Sequence, residues 1–496
     1  MKIVQFWLFF ALFGSATVVT AQIENPGDDN LFRELEITEI KVTMLAQDKA
    51  TLLAEENRYA DIYFPADLVI KNSQLNNVEV LNVGIRLRGN TARQHDKRSF
   101  KIDFREYGGL KFEGHKKINL KPNVNDPTLV RELLSMHLYR KMGVPALRVS
   151  PTSVYINEEY MGAYLMTEQV DDEFVDRRFG HEEGFLYKCS YGASLTNNGQ
   201  VFNESVYESE INEELDTRAE LDGFVTSLNN STSIGLTSVF RDVFDVDTYL
   251  RQLAVESMIG HWDGYSYNKN NFYLFYDAQT GLMNFIPYDT DNTWGIDWIG
   301  GNWATYNVES FYHPSDSRPL TKKLLGVPEY KEAYRRHLGY LRHAYFNATY
   351  LHALFDQLEA LVGPKVQTDT YFDDAFGFNY SFFQSSYDNA TGGHVKYGLR
   401  GYLSTRYTNT SDYVLSSSSL DNEFAIYPNP STNPQFIFSS PIESDLRLSL
   451  YDINGKQVRF NIERLGLSEW GVSLVENSPG MYLIRYNDQV IKWMYK

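Results

Sequence analysis

Residues 81–88 alternate, with Val83, Ile85 and Leu87 on one face and Arg86 and Arg88 on the other. A period of two predicts a half-buried strand. Gly89-Asn90-Thr91 reads as a turn. Residues 99–104 alternate again, Phe100, Ile102 and Phe104 opposite Ser99, Lys101 and Asp103. β-type residues dominate 37–45 and 59–71. Residues 153–157 and 160–168 predict a hairpin around Asn157-Glu-Glu-Tyr160, and 184–188 a short strand. Residues 22–35 are polar and read as a loose leader. A helical period starts at Asp126-Pro127, a cap followed by proline at the first helical position. Leu129, Leu133, Met136 and Arg140 recur on one face, and Gly143 can end the helix after Met142. Helices are also expected over 245–260, 328–345 and 351–361, the last ending at Gly363-Pro364. Strands first and helices second give an α+β class.

Two aromatic-rich apolar runs, 272–276 and 282–287, flank a turn that ends in Gly281. They predict a β-hairpin. If Tyr276 faces Leu282, then Asn271 faces Pro287, Asn270 faces Tyr288 and Lys269 faces Asp289. Antiparallel pairing brings the loop before the hairpin beside the loop after it. Asp263, Asn268 and Asn270 then meet Asp289 and Asp291. Carboxylate and amide oxygens gathered this way suit a hard cation such as Mg²⁺. Protein kinases place a catalytic Asp, a metal-binding Asn, a hairpin and a second metal-binding Asp in the same order. An ordinary surface hairpin with polar loops is the alternative.

Length and charge narrow the picture. A chain of 496 residues is expected to hold two or three domains. A net charge of −18 argues against a general nucleic-acid binder, which needs a basic footprint. Against that acidic background Arg86, Arg88, Arg93, Lys97, Arg98 and Lys101 form a local basic segment. A basic face opposite an acidic metal site suits a nucleoside triphosphate, and Lys101 is the leading phosphate candidate. A solvated strand face is the plainer alternative. Glu132 could pair with Lys101, or form a surface charge pair. The one cysteine, Cys189, excludes an intrachain disulfide and reads as a small buried residue. Residues 203–222, rich in Glu and Asp, read as a solvated segment. A basic start, an apolar run over 3–19 and Val19-Thr-Ala21 predict a secretory signal peptide over 1–21. No other stretch is long and apolar enough to span a bilayer.

Several short motifs in order carry a resemblance: Ile85-Arg-Leu-Arg-Gly-Asn-Thr91, Lys97-Arg-Ser-Phe-Lys-Ile-Asp-Phe104, Leu129-Val-Arg-Glu132 before Met142-Gly-Val-Pro145, Gly162-Ala-Tyr-Leu-Met-Thr-Glu168, Leu186-Tyr-Lys188, Asn270-Asn-Phe-Tyr-Leu274, and Ile286-Pro-Tyr-Asp-Thr-Asp291 before Trp294-Gly295. With them the chain resembles the spore coat protein H (CotH) kinase family over about residues 35–415. The resemblance implies an atypical kinase-like two-lobe fold, a strand-rich N-lobe and a helix-rich C-lobe, that transfers phosphate from ATP to protein hydroxyls with Mg²⁺ or Mn²⁺. It implies Asp263 as catalytic base and Asp289 as metal ligand, helped by Asn270, Asp291 or Asn268. Lys101 would contact the phosphates, Arg88, Asn90 and Thr91 would lie in the loop over the nucleotide, and Glu168 would sit near the nucleotide cleft. Tyr288 stands where the family often has Trp.

After a serine run, the 416–422 linker, residues 423–496 show regular short strands with turn signals and suggest a small β-sandwich. Beginning at Phe424-Ala-Ile-Tyr-Pro-Asn-Pro430, this module resembles the type A sorting domain of the type IX secretion system of Bacteroidota. That implies partnership with the export machinery and a surface or extracellular location. Three functions follow: a secreted kinase acting on a protein substrate, a catalytically inactive surface module binding a glycan or protein, and a metal-dependent hydrolase using the same acids.

Overall fold

The computed structural model describes residues 23–413 and, beyond them, 425–427, 434–439, 448–453, 455–464, 469–475, 478–486 and 489–495. The expected signal peptide and the 416–422 linker lie outside the described residues. The chain is mixed α+β: strand-rich first, helical in the middle, with small β-sheets at its C-terminal end.

Seven strands close into a barrel: β1 (Thr38–Thr43), β2 (Phe64–Lys71), β3 (Val78–Leu87), β4 (Phe100–Asp103), β5 (Lys117–Lys121), β6 (Val149–Ile156) and β7 (Glu159–Glu168). Their order around the barrel is β1-β2-β3-β4-β5-β7-β6, closed by a parallel β6–β1 pairing. Closure leaves no unpaired sheet edge. Alternation decides the faces: Ile85, Leu87, Phe100, Ile102, Ile118 and Leu120 fill the interior. Arg86 pairs with Lys101, and Lys101 with Asn119, so Arg86, Lys101 and Asn119 form a row on the outer face, with Arg88 and Lys121 one step along. Asn157 and Glu158, both with positive φ, make the tight β6–β7 turn.

Helix α1 (Ala46–Leu53) packs on the barrel core, whereas α2 (Arg131–Lys141) and α3 (Asp172–Phe179) bury their apolar residues in the core of the helical part, and β8 (Gly184–Cys189) and β9 (Tyr207–Ile211) follow. Next come α4 (Ala219–Asn230), α5 (Ser233–Ser238), α6 (Val246–Ile259) and α7 (Tyr265–Asn268). β10 (Phe272–Asp277) and β11 (Leu282–Pro287) complete a second sheet of order β11-β10-β8-β9. The helical part ends with α8 (Pro319–Leu325), α9 (Pro328–Ala344), α10 (Ala348–Val366), α11 (Tyr380–Ser385) and α12 (Leu399–Asn409). In the C-terminal part β12 (Ala425–Tyr427), β13 (Gln435–Ser439), β16 (Phe460–Arg464) and β17 (Glu469–Leu474) form one four-stranded sheet. β14 (Leu448–Asp452), β15 (Gln457–Val458), β18 (Gly480–Tyr486) and β19 (Gln489–Tyr495) form the other. Both sheets feed one core, where Phe436 meets Trp493 at 4.6 Å between ring centroids.

Four expectations need correction. Residues 23–35 are not loose: Leu31 and Phe32 are buried, and Asn25 donates to Val144 O at 2.8 Å. Helix α2 begins at Arg131 rather than after Asp126, because the Asp126 carboxylate accepts from Thr128 N and Arg131 N at 2.9 Å each and folds the intervening residues into a turn. Within the acidic 203–222 stretch, β9 pairs with β8, its Tyr207, Ser209 and Ile211 turned inward. Helix α10 runs from Ala348 through Pro364 to Val366, so Gly363-Pro364 falls inside its last turn rather than ending it. Cys189 is buried, as expected.

Candidate active site

Helix α6 is capped by Asp245, which accepts from Thr248 N at 3.1 Å, and ends at Gly260. Gly260 has φ +68, and a Cβ there would lie 2.4 Å from the Tyr402 hydroxyl and 2.7 Å from Trp303 Cβ. Only glycine makes this turn, which aims the next residues at the second sheet. There Asp263 is clasped by amides. Asn268 Nδ2 donates to it at 2.5 Å, Asn270 at 3.3 Å, Asn271 at 3.1 Å and Asn292 at 3.2 Å. Burial and the Asp289 charge raise the Asp263 pKa, and the amides oppose them. Each amide that gives its nitrogen to Asp263 turns its carbonyl oxygen away. Among the described residues the side-chain oxygens of Asn268, Asn270 and Asn271 receive no protein donor.

The hairpin register is one residue from the expected one: Asp277 faces Leu282 and Phe272 faces Pro287. Asp277 stays in the strand because its side chain organises the turn, accepting from Gln279 N at 2.8 Å and Thr280 N at 3.2 Å. Asn271, not Asn270, therefore meets Tyr288, whose N donates to Asn271 O. The two loops still come together.

Asp289, at φ +48, receives Lys121 Nζ at 2.6 Å. The same ammonium reaches Glu132 of α2 at 2.6 Å. Burial works to raise the Asp289 pKa, but Lys121 and Arg88 hold it low. Burial pushes Glu132 up, with Lys121 opposing. Asp291 is driven well above the usual carboxylate range by burial, then by Asp289, Glu132 and Asp263. Helix α2 also fastens this loop: Trp294 Nε1 donates to Ser135 Oγ at 3.0 Å, and Ser135 Oγ lies 3.1 Å from Thr293 Oγ1. His261 lies beneath, 1% exposed, and burial pushes its pKa down to about 4, Asp289 and the Tyr288 backbone opposing.

The pairing expected between Glu132 and Lys101 is corrected: Glu132 takes Lys121, which ends the strand leading toward α2. Lys101 has no ion-pair partner among the described residues. Burial and the charges of Arg88, Arg86 and Lys117 bring its pKa down to about 7, Glu210 opposing. Arg88 Nη2 donates to the Tyr288 hydroxyl at 2.8 Å, linking the barrel to the hairpin. Asn90 is exposed in the loop after β3, and the Thr91 side chain lies outside the described residues. Glu168, expected near a nucleotide, is paired with arginines away from Asp263 and Asp289. It is 1% exposed and taken up by Arg148 Nη2 at 2.6 Å and by Arg178. Its position at the end of β7 was legible, but the arginines that claim it come from distant segments.

Among the described residues no three Asp, Glu, His or Cys side chains gather closely enough to hold an ion by themselves. One carboxylate, nearby amide oxygens and a surplus of acid fit Mg²⁺, which commonly takes one or two carboxylates and completes its shell with water and phosphate oxygens. They do not fit a zinc site. Lys121, Asn271 and Asn292 are the residues that sequence reasoning missed. Ile118-Asn-Leu-Lys121, an alternating run ending in lysine ahead of a helix that carries a glutamate, was the available signal for the first.

Comparison with known proteins finds two matching families. The family described as CotH kinase protein matches residues 85–396, more than half of the chain. The secretion system C-terminal sorting domain matches residues 425–496. The inner spore coat protein H of Bacillus subtilis (strain 168) is 27% identical over 314 residues, covering 62% of this chain and 83% of that protein. Spore coat protein homolog 1 of Rhizopus delemar is 24% identical over 319 residues, and the invasin CotH3 of the same organism 22% over 306. The chain spans about half the length of those two relatives, 51% of each. No helix among the described residues is long and apolar enough to cross a membrane. The chain belongs to the CotH kinase protein family and carries a secretion system sorting domain at its C-terminal end.

Proposed function

We propose that this chain is an exported phosphotransferase that moves the γ-phosphoryl group of ATP onto a hydroxyl side chain of a secreted or surface protein. The observation that carries this reading is Lys121, one ammonium shared between Glu132 of α2 and Asp289 after the hairpin. In protein kinases a strand lysine held by a helix glutamate contacts the phosphates, and the aspartate after the hairpin holds the metal. On this reading the barrel and the helical part act as two lobes of one domain over about 35–415, with nucleotide between them.

Lys121, Arg88 and Lys101 hold the phosphates, with Asn90 and Thr91 in the loop above. Asp289, the amide oxygens of Asn270 and Asn268, and Asp291 would hold Mg²⁺ or Mn²⁺, which when bound would supply charge neutralisation at the phosphate oxygens. The acceptor hydroxyl oxygen bonds to the γ-phosphorus as the bond to the β–γ bridging oxygen breaks and ADP departs. The hydroxyl proton passes to Asp263, which the asparagine amides keep oriented. A leader and a type IX sorting domain over 423–496 fit action during or after export, at the surface or beyond it.

The test incubates the protein with Mg²⁺, γ-labelled ATP and a protein acceptor. Label transfer is expected, reduced by roughly 10³-fold or more in Asp263→Ala and Asp289→Ala. Free phosphate without labelled protein supports hydrolysis instead. No transfer, and no rise in melting temperature with nucleotide, supports the inactive surface-binding module.

A further inference from the structure

Beside this site the surface is apolar. Trp298 is 48% exposed, Ile299 51% and Phe376 39%. Trp298 stacks on His394 with centroids 4.0 Å apart and planes 12° apart. Phe376 lies 4.6 Å from His394 and 5.5 Å from Trp298, and His95 lies 5.8 Å from Phe376. These rings come from four separate segments: the loop after β3, the loop after β11, the α10–α11 connection and the stretch before α12. Each is pinned. Lys97 Nζ bonds Asp369 at 2.6 Å, both side chains at most 2% exposed. Asp374 accepts from Asp96 N at 2.6 Å. Asp297 accepts from Gly300 N at 2.9 Å and from Gly301 N and Trp303 Nε1 at 3.0 Å. His394 Nε2 lies 2.7 Å from Asn125 O. Exposed aromatics fixed in place, rather than folded inward, mark a recognition surface.

The platform is continuous with the reacting centre. Trp298 Nε1 donates to Asn292 Oδ1 at 3.1 Å, and Asn292 Nδ2 donates to Asp263 Oδ2 at 3.2 Å. We propose that this surface docks the acceptor polypeptide, seating an aromatic or branched aliphatic side chain next to the hydroxyl that is phosphorylated. The proposal rests on the phosphotransfer reading and adds the acceptor class. Two hydrogen bonds from Asp263 correspond to about two to four residues of extended chain between hydroxyl and anchor. A polypeptide side chain fits better than a sugar, because the carboxylate and amide oxygens nearest the rings are already committed. Asp297 is filled by backbone and indole donors, and the Asn292 oxygen by Trp298 and by Asn125 at 2.9 Å.

The full chain is assayed on arrays of short peptides with a central serine or threonine and varied flanks, for phosphorylation and for retention of fluorescently labelled protein. Apolar flanking residues are expected to be selected. Ile299→Ser and Phe376→Ser are expected to raise the acceptor KM roughly tenfold while kcat and nucleotide Kd hold. Absence of flank preference, or an unchanged KM in both variants, overturns the proposal. If wild-type protein transfers no phosphate, retention on apolar-flanked peptides that is lost in Ile299→Ser supports the surface while phosphotransfer falls. Retention on oligosaccharide arrays alone overturns it.

Discussion

Glu168 and Glu132 are both buried carboxylates held by cations from other elements, yet their surroundings differ in charge balance. Around Glu168 every acid has its cation, and Arg177 Nη1 lies a further 3.8 Å from Glu168. Arg148 and Arg178 face Glu168 and Asp29, whose carboxyl is held down at about 2, burial working against its bonds to His115 and Arg148. Both arginines hold the Glu168 carboxylate well below its usual range despite burial. Around Glu132 the acids outnumber the bases. Lys121 and Arg88 serve Glu132, Asp289 and Asp291 together, and Asp291 is pushed toward its neutral form. A cluster whose buried acids all have cations is costly to break, whereas one with surplus acid is poised for a cation from outside.

Breaking each cluster separates the two roles. Glu168→Ala leaves the fully buried Arg178 guanidinium without its carboxylate and Arg148 with Asp29 alone. It is expected to cost about 3–5 kcal/mol of stability, read from chemical denaturation. Lys121→Met removes a cation from a place where Glu132 can take up a proton instead. Its stability loss is expected to be the smaller of the two, while phosphotransfer falls roughly 10²–10³-fold. If Lys121→Met unfolds as readily as Glu168→Ala, the lysine is a structural pin and the distinction collapses.

Much of this was legible because strand alternation and helix caps are local. The β3 and β4 strands, α6 between Asp245 and Gly260, and the hairpin carrying Asp263 and Asp289 to one end all follow from short-range pattern. What escaped depends on partners distant in sequence. Lys101 and Lys121 both end up on the outer face of the barrel, and only the pairing of β5 beside β4 puts the second within reach of Asp289. Glu168 looked available because Arg148 and Arg178 lie on other elements. The one-residue register shift turned on Asp277, whose turn-forming bonds outweighed a shorter strand.

The finest division lies between Lys101 on the barrel and Glu210 on β9. Burial, with Arg88, Arg86 and Lys117 beside it, lowers Lys101 to about 7. Burial raises Glu210 to about 7, Glu208 and Glu213 adding to it and Lys188 and Lys101 opposing. For Glu210 the folded pKa exceeds the unfolded one, so its stability contribution is complete below the ordinary carboxylate pKa and is lost as pH rises toward 7. For Lys101 the folded pKa is the lower, so its contribution is present above the ordinary lysine pKa and is lost as pH falls toward 7. The two together give a shallow stability minimum near pH 7, which Lys101→Met combined with Glu210→Gln is expected to flatten in melting curves taken across pH. Polyphosphate needs the charged lysine. Nucleotide affinity should weaken by about two- to fivefold as pH rises from 6 to 8, and Lys101→Arg should remove most of that dependence in calorimetric titration. A Lys101→Arg profile as steep as the wild type would assign the pH response to Glu210 and leave Lys121 and Arg88 as the phosphate contacts.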